Sequence, residues 1–476
     1  MSDSISTSSR PASASPDLWL SVREAFAGGH FVDYTAITLN RAVLLLAVPM
    51  VLEMVMESLF SLSDVFWVSR LGKNAIAVVG LTESLMTLIY AVAIGVSFAA
   101  AATVARRIGE KNPAHASRAA GQVVMLGLTL SAGIGAIAGA FGPDALRAMG
   151  ADPQVVALGS NFSRIMLGGN LTVFMIFLLN AVFRGAGDAV IAMRTLFLAN
   201  GLNIILDPCF IYGLGPFPHL GVTGAAIATN TGRGIGVLYQ LWHLTGRPGR
   251  LHLRLVDLKP DWAILGGILK TSGNGILQFL INMTSLIALF KILASFGSQA
   301  LAGYTIAIRI VLFALMPALG LANAGATLVG QNLGAKKPDR ASSSVLIAMR
   351  FNVLILGIVG AAYVICSRPL VGLFTSDPAV FAEGVRALWI VSLGLPLYAA
   401  GMCLGGAFNG SGDTWTPTWV NFFCFWLGQA PLAWILAVPA GLGPTGVYVA
   451  VPVSFTAFTI WTGLLFRRGT WKRQKI

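Results

Sequence analysis

Long apolar blocks alternate with short polar breaks along the chain from residue 41 onward. Each block is about 20 residues or longer, the length of helix that crosses the hydrocarbon core of a bilayer. The blocks are continuous runs, whereas strands of a membrane β-barrel alternate apolar with polar residues. The pattern therefore predicts an all-α polytopic membrane protein with twelve transmembrane helices. Spans 1 to 12 are predicted at 41–68, 75–107, 116–141, 155–182, 191–213, 221–245, 263–294, 300–332, 341–366, 380–408, 416–438 and 443–466.

Composition supports a membrane protein. Of the 476 residues, 56% are hydrophobic and 11% are charged, against about 25% charged in a soluble domain. The mean hydropathy is +0.76. These values exclude a soluble enzyme, a disordered protein and a disulfide scaffold. The four cysteines lie far apart in apolar blocks, and the five histidines show no metal-ligand spacing.

The net charge of +13 would suggest nucleic-acid binding in a soluble protein, but its distribution indicates membrane topology instead. The termini and the breaks after the even-numbered spans hold 21 of the 32 Lys and Arg residues, whereas the opposite breaks hold 5. Polytopic proteins place Lys and Arg in cytoplasmic loops. Both termini are therefore predicted to be cytoplasmic. The protein is expected in a bacterial or archaeal plasma membrane, where the lipid bilayer is its partner and nucleic acid is not.

The two halves of the chain repeat at a constant offset of 225 residues. The matched pairs include Gly72 and Gly297, Lys111 and Lys336, Asp188 and Asp413, and Gly221 and Gly446. Each half carries six spans, and an even number gives both halves the same orientation. Two six-helix lobes related by pseudo-two-fold symmetry along the membrane normal are predicted, which is one known transporter design.

The predicted organisation has five parts. They are a cytoplasmic tail at 1–40, an amino-terminal lobe at 41–246, a cytoplasmic linker at 247–262, a carboxy-terminal lobe at 263–466 and a basic cytoplasmic tail at 467–476. Within the first tail, Asp17 precedes a stretch with Leu18, Val22 and Phe26 on one helical face. A helix on the membrane surface and a plain linker are equal alternatives there.

Five acidic residues lie well inside apolar blocks, and all are in the first half: Glu53, Glu57, Asp64, Glu83 and Asp207. A carboxylate within a bilayer costs at least ~2.5 kcal/mol and needs a function or a partner. The second half lacks these acids, with Leu289 and Leu432 at the positions that match Asp64 and Asp207. The acids therefore serve more than the repeated scaffold.

The spacing of these acids groups them on helix faces. Glu53, Glu57, Phe60 and Asp64 share one face of span 1, after a kink expected at Pro49. Asn203 and Asp207 share a face of span 5. Two carboxylates with amide and hydroxyl neighbours can form a proton relay, and the same oxygens can coordinate Na⁺.

Several motifs in this order resemble the multidrug and toxic compound extrusion (MATE) family over about residues 40 to 466. The motifs are Pro49, Ser63-Asp64-Val65-Phe66-Trp67, Leu71-Gly72, Asn203, Leu206-Asp207-Pro208 and Gly224-Ala225-Ala226-Ile227-Ala228-Thr229. The resemblance implies a multidrug efflux antiporter that is driven by inward H⁺ or Na⁺. It further implies a cation site in the amino-terminal lobe formed by Asp64, Asn180, Asn203, Asp207 and Thr229.

Two groups complete the predicted site. Glu57 joins the cation site because it shares a helix face with Asp64, and a Na⁺ at Asp64 and Asp207 is one option for the coupling ion. The predicted substrate cavity includes Glu53, Phe60, Met54 and Gln278. Drug-like or organic cation substrates, a monomer and no cofactor besides the coupling ion are expected.

Two other classes of protein are alternatives. A flippase for lipid-linked or polysaccharide substrates shares the repeat design, but it should have a strongly basic cavity for a pyrophosphate head group. The cavity of the first half is instead expected to be acidic. A membrane-embedded enzyme would need a nucleophile–base pair or a metal cluster, and the sequence offers neither. No Walker motif is present to couple transport to ATP.

Overall fold

The computed structural model describes residue 26 and residues 32–246 and 249–474, and the regular elements in these ranges are all helical. The surface helix considered around Asp17 lies outside the described residues. The first half forms span 1, Leu39–Ser69; span 2, Lys73–Gly109; span 3, Pro113–Ala140; span 4, Pro153–Gly168 with Asn170–Ala186; span 5, Ala189–Tyr212; and span 6, Val222–Gly246. The second half forms span 7, Trp262–Ala294; span 8, Ser298–Gly334; span 9, Pro338–Ile365; span 10, Pro378–Ser392 with Leu395–Ser411; span 11, Trp415–Ala437; and span 12, Pro444–Arg468.

Most of these helices meet the physical requirements of a membrane span. Ten are long and apolar enough, and the two segments of span 10 together make an eleventh, with a bend of 51° between them. Span 6 is a helix of 25 residues with a more polar sequence, which includes Asn230, Arg233 and Gln240. Each predicted span lies within four residues of an observed helix or helix pair.

The internal repeat extends to details of the backbone. Short helices follow spans 3 and 9 at matched positions, Gly142–Ala148 and Ser367–Gly372. Positive φ angles also recur at matched positions. They are 95° and 105° at Gly72 and Gly297, 57° and 58° at Lys111 and Lys336, and 84° and 89° at Gly187 and Gly412. Two copies of one six-helix unit therefore make up the fold.

Two large apolar cores lie in the molecule. One joins spans 2, 3, 4 and 6 with the first turns of span 7, and Phe174, Leu178 and Val123 are fully buried in it. The other joins spans 7 to 12, with Tyr304 stacked on Tyr448 at a ring-centroid distance of 5.7 Å. These two cores define the amino-terminal and carboxy-terminal lobes.

The lobes approach each other most closely near the ends of spans 2 and 8. A Cβ atom added at Gly109 would lie 2.0 Å from the carbonyl oxygen of Gln331, and one added at Gly334 would lie 2.2 Å from that of Arg106. The Gln331 side chain also donates a hydrogen bond of 3.0 Å to the carbonyl of Gly185. Only glycine permits this backbone contact, and we call this end of the molecule the inner end.

Toward the other end, which we call the outer end, the lobes separate. The apolar cluster at the inner end combines span 1 with spans 8, 9 and 10, as in the packing of Leu46 and Leu321. The cluster at the outer end of the first half, which contains Val68 and Val222, holds first-half residues only. At the outer end the described residues of the two lobes share no apolar core, and we call the space between the lobes there the cleft.

Gly109→Ala is expected to weaken the inner contact, because the added methyl group can be accommodated only if the lobes move apart. A cysteine at Ala105, which faces Gly330 of the other lobe, should then react about tenfold faster with a water-soluble maleimide in a cysteine-free background. Gly80→Ala on the same helix is the control, since no atom lies within 4 Å of its added Cβ. Equal reaction rates in both variants would contradict the assignment of this contact.

Candidate ion and substrate site

A buried polar group joins spans 5 and 6 near the outer end. Asn203 donates hydrogen bonds through Nδ2 to Asp207 Oδ1 at 3.2 Å and to Thr229 Oγ1 at 3.1 Å. All three side chains are buried, and Asp207 is 0% exposed. The two helices approach closely because glycines line their contact. A Cβ added at Gly232 would lie 2.5 Å from the carbonyl oxygen of Ala199.

Two acceptor oxygens in this group have no hydrogen-bond partner among the described residues: Asn203 Oδ1 and Asp207 Oδ2. Buried polar atoms in folded proteins nearly always have a partner, and a buried carboxylate needs a counter-charge. A proton on Asp207 or a cation bound between these oxygens would supply what is missing. The donor set, carboxylate, amide and hydroxyl, suits a hard monovalent cation as well as a proton.

Asp64 lines a narrow cavity beside this group, together with Phe60, Glu83, Thr229 and Arg233. The cavity volume is about 50 Å³, which leaves room for a few water molecules but not for a drug-sized compound. Asp64 and Asp207 lie within range of mutual electrostatic repulsion. Asp64 therefore lines a small cavity inside the amino-terminal lobe, and Asp207 is buried behind it within range of its charge.

Glu57 has a positive partner of its own. Its carboxylate lies 3.4 Å from a guanidinium nitrogen of Arg233 and accepts a hydrogen bond of 3.1 Å from Asn200. The same guanidinium donates to Tyr90 and lies 5.0 Å above the ring of Phe60. The predicted ion ligand Glu57 therefore lies in an ion pair and not in the group around Asn203.

Glu53, predicted to line the substrate cavity, is fully buried and cannot contact a substrate in this arrangement. Its carboxylate accepts a hydrogen bond of 2.9 Å from Arg184 of span 4. An acid enclosed between helices needs its charge compensated, and Arg184 supplies the counter-charge here. The pair fixes the inner half of span 1 against span 4. A role of Glu53 in the substrate cavity stays a prediction.

Asn180 also lies apart from the predicted site. Its Oδ1 accepts a hydrogen bond of 2.5 Å from Gln240 of span 6. Asn180 is six residues from the inner end of span 4, whereas Asn203 is fourteen residues from the inner end of span 5. At about 1.5 Å per residue their depths differ by roughly 12 Å. In this arrangement Asn180 contacts Gln240 and not the group around Asn203, and its role in the cation site stays a prediction.

The remaining predicted residues lie on spans 1 and 7. Phe60 lines the small cavity, and Met54 is partly buried on span 1, where its carbonyl accepts a hydrogen bond from Ser58. Gln278 of span 7 has a buried Oε1 without a partner in the described part of the chain. The described residues contain no cluster of three or more His, Cys, Asp or Glu side chains that could hold a metal ion.

The sequence does not show which base neutralises which acid of span 1. Glu53 is 131 residues from Arg184, and Glu57 is 176 residues from Arg233. The available signal was a pair of arginines inside or at the end of apolar blocks in the same half. Such residues are candidates for buried ion pairs, but their partners depend on how the spans pack.

The two helical lobes, the cleft and the buried carboxylates define a class: a polytopic membrane transporter with internal repeats. The MatE family model matches residues 49–209 and 274–435, one match in each half. The chain belongs to the MATE family. The resemblance seen in the sequence motifs is thereby confirmed.

Known proteins support this assignment over most of the chain. A probable multidrug resistance protein NorM from Thermotoga maritima is 26% identical over 442 residues, 92% of this chain and 94% of that protein. An FAD transporter from Shewanella oneidensis is 26% identical over 72% of this chain and 76% of its own length. An outward-facing structure of a multidrug resistance MATE family transporter superposes with a TM-score of 0.88 at 28% identity, over 94% of this chain and 99% of that one.

Proposed function

We propose that the chain is a secondary active antiporter that exports organic, often cationic, compounds in exchange for inward H⁺ or Na⁺ by alternating access. The proposal names small drug-like molecules as substrates because several of the similar curated proteins carry multidrug names. It also takes the protein to be a monomer in a bacterial or archaeal plasma membrane.

One observation carries the proposal: Asp207 is fully buried beside Asn203 and Thr229, with two acceptor oxygens left unpaired. A buried carboxylate of this kind is stable only when a cation or proton compensates it. Its neighbour Asp64 lies on a water-sized cavity, which offers the ion a route of exchange. Coupling then requires that the ion favour one state of the protein and the substrate another.

A proton gradient and a membrane potential together supply enough free energy for the proposed export. A gradient of one pH unit supplies about 1.4 kcal/mol per proton, and one charge crossing 100 mV adds about 2.3 kcal/mol. Together they could sustain a gradient of several hundredfold for a neutral substrate exchanged one for one.

Proteoliposomes that contain the purified protein and a fluorescent organic cation test the coupling. A pH gradient and a Na⁺ gradient are imposed separately, at equal membrane potential. We expect one of the two ion gradients to drive the dye against the dye's own concentration gradient. This dye movement should stop when an ionophore removes that ion gradient. Dye movement that is indifferent to both gradients would contradict the antiport proposal.

The proposed orientation is tested by cysteine labelling in intact cells. Cysteines replace Glu110, in the turn after span 2, and Arg147, in the short helix after span 3. A membrane-impermeant maleimide should label position 147 from outside and position 110 only after the membrane is opened, since the basic loops are proposed to be cytoplasmic. Labelling of both positions from the same face would contradict the topology.

A further inference from the structure

The centres of the membrane spans carry different charges in the two lobes. The first half holds five acids and the bases Arg164 and Arg233. The second half holds the bases Lys270, Lys291, Arg309 and Arg350 within its spans, and its acid in span 10, Glu383, pairs with Arg386 near the end of that span. Glu53 and Glu57 already pair with arginines, and Asp207 is fully buried. The acids left for the cleft side of the first lobe are therefore Asp64 and Glu83.

Glu83 and Arg309 face each other at the same depth of the cleft. Glu83 is ten residues from the first residue of span 2, and Arg309 is eleven from the first residue of span 8, its counterpart in the repeat. Both residues are exposed although each lies within a long apolar helix. The two side chains lie within range of electrostatic attraction, yet in the described part of the chain no hydrogen bond or ion pair engages either of them.

The open cleft therefore presents an acidic wall and a basic group opposite it. An unpaired guanidinium at this depth is costly unless water or an anionic partner solvates it. A substrate with a cationic charge alone would meet Glu83 favourably but would leave Arg309 unpaired and would be repelled by it. A zwitterion can satisfy both groups at once.

We propose that Arg309 is a specificity-determining residue that binds an anionic group, such as a carboxylate, of the transported compound. The substrate class is then an organic zwitterion whose cationic end lies toward Glu83 and Asp64. Guanidinium suits this role because its planar donors can hold a carboxylate through two parallel hydrogen bonds. The inference rests on the proposed export function and adds the chemistry of the substrate to it.

A matched pair of dyes tests the assignment in proteoliposomes. Tetramethylrhodamine carries a free carboxylate and is a zwitterion, whereas its methyl ester is a cation with the same ring system. Arg309→Gln should lower export of the free acid by about tenfold to a hundredfold, with export of the ester unchanged or faster. Retained ester export shows that the variant is folded. Arg309→Lys keeps the charge but loses the fork of donors, so it should reduce free-acid export less.

The other outcomes each contradict the inference in a recognisable way. Equal loss for both dyes would mean that Arg309 acts in closing the cleft, by pairing with Glu83, and not in recognition. No change for either dye would remove Arg309 from the site. Glu83→Gln serves as the matched control, because it should weaken export of both dyes. If the wild-type protein exports neither dye, the proposed export function fails for such compounds together with the inference.

Discussion

Asp207→Asn is expected to abolish ion-driven export, down to the signal of liposomes without protein. An amide cannot take up and release a proton, and it lacks the charge that would hold Na⁺ against water. The substitution keeps the shape of the side chain and can keep the contact with Asn203. A neutral amide is also less costly to bury than a carboxylate, so the fold should persist.

Export by this variant is measured at matched expression, with purified protein and with each ion gradient imposed in turn. Leu432→Ala is the control, because Leu432 occupies the matched position in the second lobe and should cost far less activity. Asp64→Asn should behave like Asp207→Asn if both carboxylates serve one ion. Normal export by Asp207→Asn would remove that residue from the mechanism, whatever its burial.

The sequence alone predicted the spans because a bilayer imposes two requirements that are visible in one dimension. Each helix must be about 20 residues long and must be apolar enough to lie in hydrocarbon. Span 6 met the first requirement and only partly the second, because it contributes Asn230, Arg233 and Gln240 to the interior of the lobe. The offset of 225 residues then fixed the two-lobed plan.

The site was predicted less completely. Asp207, Asn203 and Thr229 lie in one hydrogen-bonded group. Spacing within span 5 had predicted that Asn203 and Asp207 share a face, and the family motifs had added Thr229. Asn180 was assigned to the same group by resemblance, but its depth along span 4 takes it to Gln240 instead. Helical spacing defines which face a residue occupies, but not the depth at which neighbouring helices meet.

Local irregularities of the helical backbone could not be predicted from the sequence either. Span 11 contains a π-helical segment at Phe422–Gln429, where the backbone is wider than in an α-helix. Ser285 of span 7 donates a hydrogen bond to the carbonyl of Phe425 within it, at 2.8 Å. The wider turn frees such carbonyls for partners on another helix, so the irregularity depends on tertiary packing and has no local signature.

The coupling ion and the substrate are expected to weaken each other's binding. In the proposed mechanism Asp64 and Asp207 repel each other when both are ionised, and water fills the small cavity beside Asp64. A proton or Na⁺ removes the repulsion, so span 1 can bend near Pro49, which shrinks the cavity of the amino-terminal lobe and expels the substrate outward. If the ion favours one state and the substrate the other, their mutual effect must be equal in both directions.

Titration of a cationic fluorescent substrate tests this reciprocity at fixed ionic strength. If the ion is H⁺ and one proton leaves as the substrate binds, affinity should rise by about tenfold per pH unit while the site is protonated, and then level off. If the ion is Na⁺, affinity should fall in proportion to the occupancy of the ion site at fixed pH. Asp207→Asn should lose whichever dependence the wild-type protein shows. A substrate affinity that depends on neither pH nor Na⁺ would rule out this coupling, even if export required both carboxylates.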